Sequence, residues 1–174
     1  MTQNSEAWSE QSIYLLRTTQ QHHVQLSLMA DHKANMLIGA AFVVFSIAVS
    51  QSANAGSISL YLLALAISSA ISALLAAMAV IPNIGAVPTA ATDRGNLLFF
   101  GAFRQMEEDE YITALSAQMR TDDAVYRAML RDVYQMGQVL AKKKYRYLRW
   151  SYSIFIAGIL LTVALFALEN LGAF

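Results

Sequence analysis

Residues 28–42, LMADHKANMLIGAAF, set Asp31, His32, Lys33 and Asn35 directly against the start of a long apolar run. A carboxylate placed there is costly unless a cation faces it, because hydrocarbon does not solvate charge. Asp31 and Lys33 stand two positions apart, so on a helix they point away from each other and cannot neutralise one another locally. Asp31 is therefore expected to pair with a distant cation: Arg94, Lys144 or Arg149. Lys33 reads as an anchor whose stem lies along lipid with its amine at the headgroups. Other chemistry finds little support. The chain has no cysteine, hence no disulfide framework and no thiolate metal site. His22 and His23 lack a second cluster at ligand spacing, so no metal is expected. Nothing pairs a nucleophile with its base and no glycine loop cradles a phosphate, so the chain does not read as an enzyme.

The elements that must position these residues follow from composition. At 56% apolar and 14% charged over 174 residues, the chain lies far from soluble averages of about 45–50% and 25%. Between Lys33 and Asp93 there is no Asp, Glu, Lys or Arg, a gap of 59 residues. Two spans of about 20 residues joined by a turn fit that gap. We place them at 34–51 and 58–81, with the uncharged polar residues 52–57 between them. A third span, 148–168, follows Tyr147 and includes Trp150 and Tyr152, rings suited to the headgroup zone. The expected fold is an all-α integral membrane protein with three transmembrane helices and a small helical cytoplasmic region. Ala53-Asn54-Ala55 resembles a signal-peptidase site, but a secretory signal has a short basic leader and here 33 mostly polar residues come first.

Orientation follows from the basic residues. Arg17 and Lys33 precede the first span, the other ten lie between Arg94 and Arg149, and none falls in 52–57 or after 150. All twelve then belong on the cytoplasmic side of the membrane. This makes 1–33 a cytoplasmic helix, 82–147 a cytoplasmic helical region and 169–174 a periplasmic tail. Within 82–147, both prolines fall at 82 and 88 and break any helix. Residues 96–103, NLLFFGAF, read as a short apolar element. Glu107 to Glu110 suit the positive end of a helix dipole, and Thr121 with Asp122 and Asp123 reads as the cap of the longest helix. That helix is expected to bend, if anywhere, at Gly137. Lys142, Lys143, Lys144, Arg146 and Arg149 form a basic collar where it meets the membrane, attractive to anionic lipid. Nucleic acid is not an expected partner, since residues 93–149 carry eight acids against ten bases. In the second span Ser68, Ser72 and Ala76, and Ser69, Ala73 and Ala77, repeat at four-residue spacing. Such small residues let helices approach closely, within one chain or in a homo-oligomer.

MADHKANMLIGAAF before the first span, GNLLFFGAFRQMEEDEYITAL after the second and YRAMLRDVYQMGQVLAKKKYRYLRWSYSIF leading into the third resemble the small membrane effectors of bacterial Pycsar antiphage systems. The resemblance covers most of residues 20–160. It implies a protein that senses a cyclic pyrimidine mononucleotide, cyclic UMP or cyclic CMP, made by a cognate cyclase during phage infection, and then impairs the inner membrane. No cofactor is implied beyond that activating ligand. Such a ligand needs a cation for its phosphate, an aromatic face for its base and an amide or carboxylate for the base edge. Arg94, Asn96, Phe99, Phe100 and Arg104 supply all three, and Asp31, Lys33 and Asn35 are expected opposite them. The contrasting expectation is a constitutive small membrane scaffold or regulatory subunit without a nucleotide ligand.

Overall fold

The computed structural model describes residues 8–54, 59–81, 96–104 and 106–171. Among them there is no strand. Six α-helices follow in order: α1 Ser12–Asn54, α2 Leu60–Val80, α3 Phe100–Phe103, α4 Glu108–Gln118, α5 Asp122–Val139 and α6 Tyr145–Asn170, with a π-helical turn, Leu140–Lys144, joining α5 to α6. Three helical runs are long and apolar enough to cross a membrane: Ser12–Asn54, Leu60–Val80 and Asp122–Asn170. Only 17, 22 and 11% of the residues in their most apolar windows are buried within the chain. Side chains such as Phe42, Leu74, Leu160 and Val163 are more than half exposed. So continuous an apolar surface is what lipid covers. The chain is an all-α membrane protein.

The backbone divides into two compact units. The first comprises residues 26–81 and 140–174. In it α2 and α6 run antiparallel, as their paired contacts show. Lys143 meets Ile81, Ser151 meets Ser72, Gly158 meets Ser68, and Phe166 stacks edge-on against Tyr61 at 5.4 Å between ring centroids. The two helices touch through small residues. A Cβ at Gly158 would collide with the Ser68 side chain, so only glycine permits this approach. Ala34, Ala41 and Ala48 of α1, seven residues apart, are wholly buried. Ala30, Ala34 and Leu37 form one cluster with Ala76 of α2 and Leu148 of α6. Small side chains at such a seam let dispersion contacts replace the hydrophobic drive that lipid removes.

The second unit comprises residues 1–25 and 82–139. Its part of α1 runs parallel to α5: Trp8 packs on Tyr126 at 4.9 Å, Gln20 meets Asp132, and His23 lies against Gly137. Helix α4 opens with Glu108, Asp109 and Glu110 in its first turn, where the dipole favours acids. Thr121 Oγ1 accepts from the Ala124 amide at 3.3 Å, capping α5. The departure from regular geometry after α5 comes at Leu140–Lys144 rather than at the expected Gly137. Gly137 instead lies within a regular helix facing the imidazole of His23, whose ring would be in ordinary van der Waals contact, at 3.5 Å, with an added Cβ.

Candidate functional site

At the mouth of the membrane unit, Lys144 Nζ donates to both Asp31 oxygens at 2.7 Å and to Ser27 Oγ at 2.7 Å. Its three N–H donors thus have three acceptors, two of them on one carboxylate. Ser27 and Asp31 are four residues apart and share one face of α1. The pair is largely withdrawn from solvent, with side-chain exposures of 18% for Lys144 and 29% for Asp31. Partial burial in this geometry lets Coulomb attraction offset the loss of hydration. Of the three cations the sequence offers to Asp31, Lys144 engages it, while Arg94 lies outside the described residues.

Its neighbour Lys143 donates to the Ile81 carbonyl at 2.8 Å, at the carboxyl end of α2. A cation there satisfies an orphan carbonyl and suits the negative end of the helix dipole. Two consecutive lysines therefore tie α6 to α1 and to α2. They belong to the π turn, whose wider winding is a recurrent feature of functional positions in helices. Tyr145 and Tyr152 hydroxyls reach the backbone carbonyls of Leu26 and Lys33, each at 3.4 Å. The side chains of Lys33 and Asn35 are exposed, as are those of Lys142, Arg146 and Arg149. The Arg146 guanidinium carbon lies 5.5 Å from the centre of the Tyr147 ring.

Deeper along the same unit the polar chemistry changes. Ser72 Oγ donates to the Ser151 carbonyl at 2.9 Å, and Ser151 Oγ donates to the Ser72 carbonyl at 2.6 Å. Both serines are wholly buried. The reciprocal pair clasps α2 to α6 without placing charge among apolar side chains.

The second unit holds a different constellation. Asn96, only 3% exposed, donates from Nδ2 to Asp132 Oδ1 at 2.8 Å and accepts the Leu98 amide on Oδ1 at 3.0 Å. Gln20 Nε2 donates to Asp132 Oδ2 at 2.9 Å. One carboxylate thereby receives an amide on each oxygen and links α1, α5 and the segment before α3. Phe99 is half-buried and folds over Gly101, where an added Cβ would stand 2.5 Å from the ring. Arg104 is exposed. Arg94 and the Phe100 side chain lie outside the described residues.

Gln20 also lies on an open face of α1 with Arg17, Gln21, Val24 and Gln25, and four of these five residues are exposed. These positions repeat at helical spacing along one face of α1. One cation and three amides make that face able to hold a small anionic ligand through charge and base-edge hydrogen bonds. Sequence reasoning uses Arg17 only for orientation and assigns no role to Gln20, Gln21, Gln25 or Asp132. The legible signal was a stripe of uncharged hydrogen-bonding side chains around one arginine, in a helix otherwise read for its apolar members.

No curated protein and no solved structure matches the chain. The family model described as the Pycsar effector protein domain, PycTM, matches residues 14–169. That match takes in the three membrane helices and the polar helices alike, and the chain belongs to the Pycsar effector protein domain family, which supports an effector role in antiphage defence.

Proposed function

We propose that this protein senses a cyclic pyrimidine mononucleotide, cyclic UMP or cyclic CMP from a cognate cyclase, on the cytoplasmic side of a bacterial inner membrane and in response impairs that membrane, ending the infected cell. The observation that carries the reading is the family match over residues 14–169. Local chemistry supports it. Arg17 offers a cation for the single phosphate charge, and Gln20, Gln21 and Gln25 offer donors and acceptors for a pyrimidine edge. Asn96 and Asp132 fix Gln20 from behind, and Phe99 and Arg104 follow Asn96 on the same segment. Asp31 ties helices together, its charge answered by Lys144.

The orientation proposed puts the amino terminus and residues 82–147 in the cytoplasm and the carboxyl terminus in the periplasm, because every Lys and Arg then lies inside. Several copies act together in this reading. The hydroxyls of Ser72 and Ser151 are closed against each other within one chain, so this pair leaves no free hydroxyl to line a polar path through a single set of three helices.

The test is calorimetric titration of the detergent-solubilised protein with cyclic UMP and cyclic CMP, with cyclic AMP and linear UMP as controls. Measurable heat is expected for a cyclic pyrimidine only, and Arg17→Ala and Asn96→Ala should each weaken it at least tenfold. Co-expression with an active pyrimidine cyclase should depolarise cells carrying the wild-type chain. Absence of both heat and depolarisation would overturn the reading in favour of a constitutive scaffold.

A further inference from the structure

The basic collar divides into two sets with different uses. Lys143 and Lys144 spend their donors on Ile81, Asp31 and Ser27. Lys142, Arg146 and Arg149 are exposed, and none is hydrogen-bonded or ion-paired with another described residue. They stand four and three residues apart, which brings them onto one stripe of the π turn and α6. The stripe ends where the apolar run begins, beside the half-buried Tyr147 and a Trp150 that is 60% exposed. Residues 26–81 and 140–174 contain six Lys and Arg against two acids, Asp31 and Glu169. Asp31 is occupied by Lys144, and Glu169 lies at the other end of α6. The membrane unit therefore carries uncompensated positive charge at a single level, the level of its aromatic ring belt.

We propose that Lys142, Arg146 and Arg149 form a headgroup site for an anionic phospholipid of the phosphatidylglycerol class. The guanidinium groups of Arg146 and Arg149 take the lipid phosphate, as their planar donor pairs suit a tetrahedral oxyanion. Lys142 adds a point charge one turn farther into water. Trp150 lies against the upper acyl chain with its ring N–H at the interface. The lipid thereby completes a charge balance that the protein leaves open. This inference rests on the membrane-spanning reading of α6 and is independent of any nucleotide ligand.

Phosphatidylglycerol and phosphatidylcholine are titrated separately into the purified full chain in neutral detergent, and bound lipid is counted by native mass spectrometry. Phosphatidylglycerol should bind at least tenfold more tightly than phosphatidylcholine. Near a membrane surface each cation contributes about fivefold in affinity for anionic lipid. Arg146→Gln with Arg149→Gln should therefore lose about 25-fold, whereas the charge-matched control Arg120→Gln with Arg127→Gln should change less than twofold. Arg146→Lys with Arg149→Lys should stay within about threefold of wild type, since it keeps the charge. Equal losses in the two glutamine pairs, or in the lysine and glutamine pairs, would overturn the proposal. So would equal binding of the two lipids, or displacement of phosphatidylglycerol by millimolar glycerol phosphate or cyclic UMP, which would mark a general phosphate site. Nucleotide titration of the same variants separates failure here from failure of the sensing reading.

Discussion

Two polar clasps hold the membrane unit, and they use different chemistry. At its mouth Lys144 and Asp31 meet as full charges with 18 and 29% exposure; within the spans Ser72 and Ser151 meet as neutral hydroxyls with none. The difference follows the solvent. At the mouth, residual water lowers the desolvation cost, so a charged pair can combine strength with partial hydration. In hydrocarbon the same pair would lose its hydration outright, whereas a hydroxyl needs one acceptor, which a neighbouring helix carbonyl supplies. A third pair lies in open water. Arg127 Nε donates to Asp123 Oδ2 at 2.7 Å with exposures of 75 and 55%, and there water and salt leave little net energy. One chain thus grades its polar contacts from exposed ions to half-buried ions to buried hydroxyls.

Breaking the geometry that the inner clasp needs should have the largest effect. Gly158→Val drives a branched side chain into Ser68, a collision already made by its Cβ, which places the cost at or above the upper end of the usual overpacking range, about 3 kcal/mol or more. Loss of the α2–α6 contact, read as a fall in thermal midpoint of the detergent-solubilised protein, is the expected outcome, with Ser68→Gly partly restoring it.

The outer clasp comes next. Asp31→Ala leaves Lys144 half-buried without its carboxylate, and truncating one partner of such a pair costs about 1–3 kcal/mol, below the fully buried range because water still reaches the site. Asp31→Asn, which keeps an acceptor for the amine, should cost less than half as much. A double-mutant cycle with Lys144→Met checks whether the energy belongs to the pair.

Ser72→Ala should be milder than either, at about 0.6 kcal/mol, the mean for hydrogen bonds between membrane helices. Its small size beside Asp31→Ala would sharpen the contrast between the two clasps; equal size would erase it.

The exposed pair should matter least, and only through pH. Hydrogen bonding and charge from Arg127 hold the Asp123 carboxyl below its ordinary value of 3.8. A depressed carboxyl pKa contributes stability that is present above the ordinary value and fades as pH falls through the lowered one. Asp123→Asn should therefore lower the thermal midpoint slightly at pH 7, and the difference should shrink as pH falls below 3.8. The measurement is a pair of melts at each pH.

Much of this arrangement was legible in the residues. The absence of charge across 34–92 and 150–168 marked the spans, because charge is what lipid excludes. The position of Asp31 announced a distant cation, and charge alone narrowed it to three candidates of which Lys144 is one. What stayed hidden depends on how faces turn toward each other. The small residues of α2 suggested two stripes at four-residue spacing, yet the buried face runs Ser69, Ser72, Ala76, Ala79, alternating three and four. An α-helix repeats every 3.6 residues, so a packed face alternates steps and no fixed interval finds it. Ser151 as the partner of Ser72, 79 residues away, required the register of α2 against α6. The π turn has no composition of its own, and three lysines in a row read equally well as an α-helical collar. Asn96 was singled out for its amide, but its acceptor Asp132 lay unnoticed because a lone acid on a polar helix face signals nothing until the fold supplies its donors.

The central proposal is that lipid surrounds three helices and that the polar helices face the cytoplasm. The chain has no cysteine, so single thiols can be introduced without background. Asn54→Cys and Gln118→Cys are each expressed in intact bacterial cells made permeable at the outer membrane only, and treated with a charged, membrane-impermeant maleimide. Labelling of Asn54→Cys in intact cells, and of Gln118→Cys only after the inner membrane is opened, is the expected result. Labelling of both thiols in intact cells, or of Gln118→Cys alone, would contradict it.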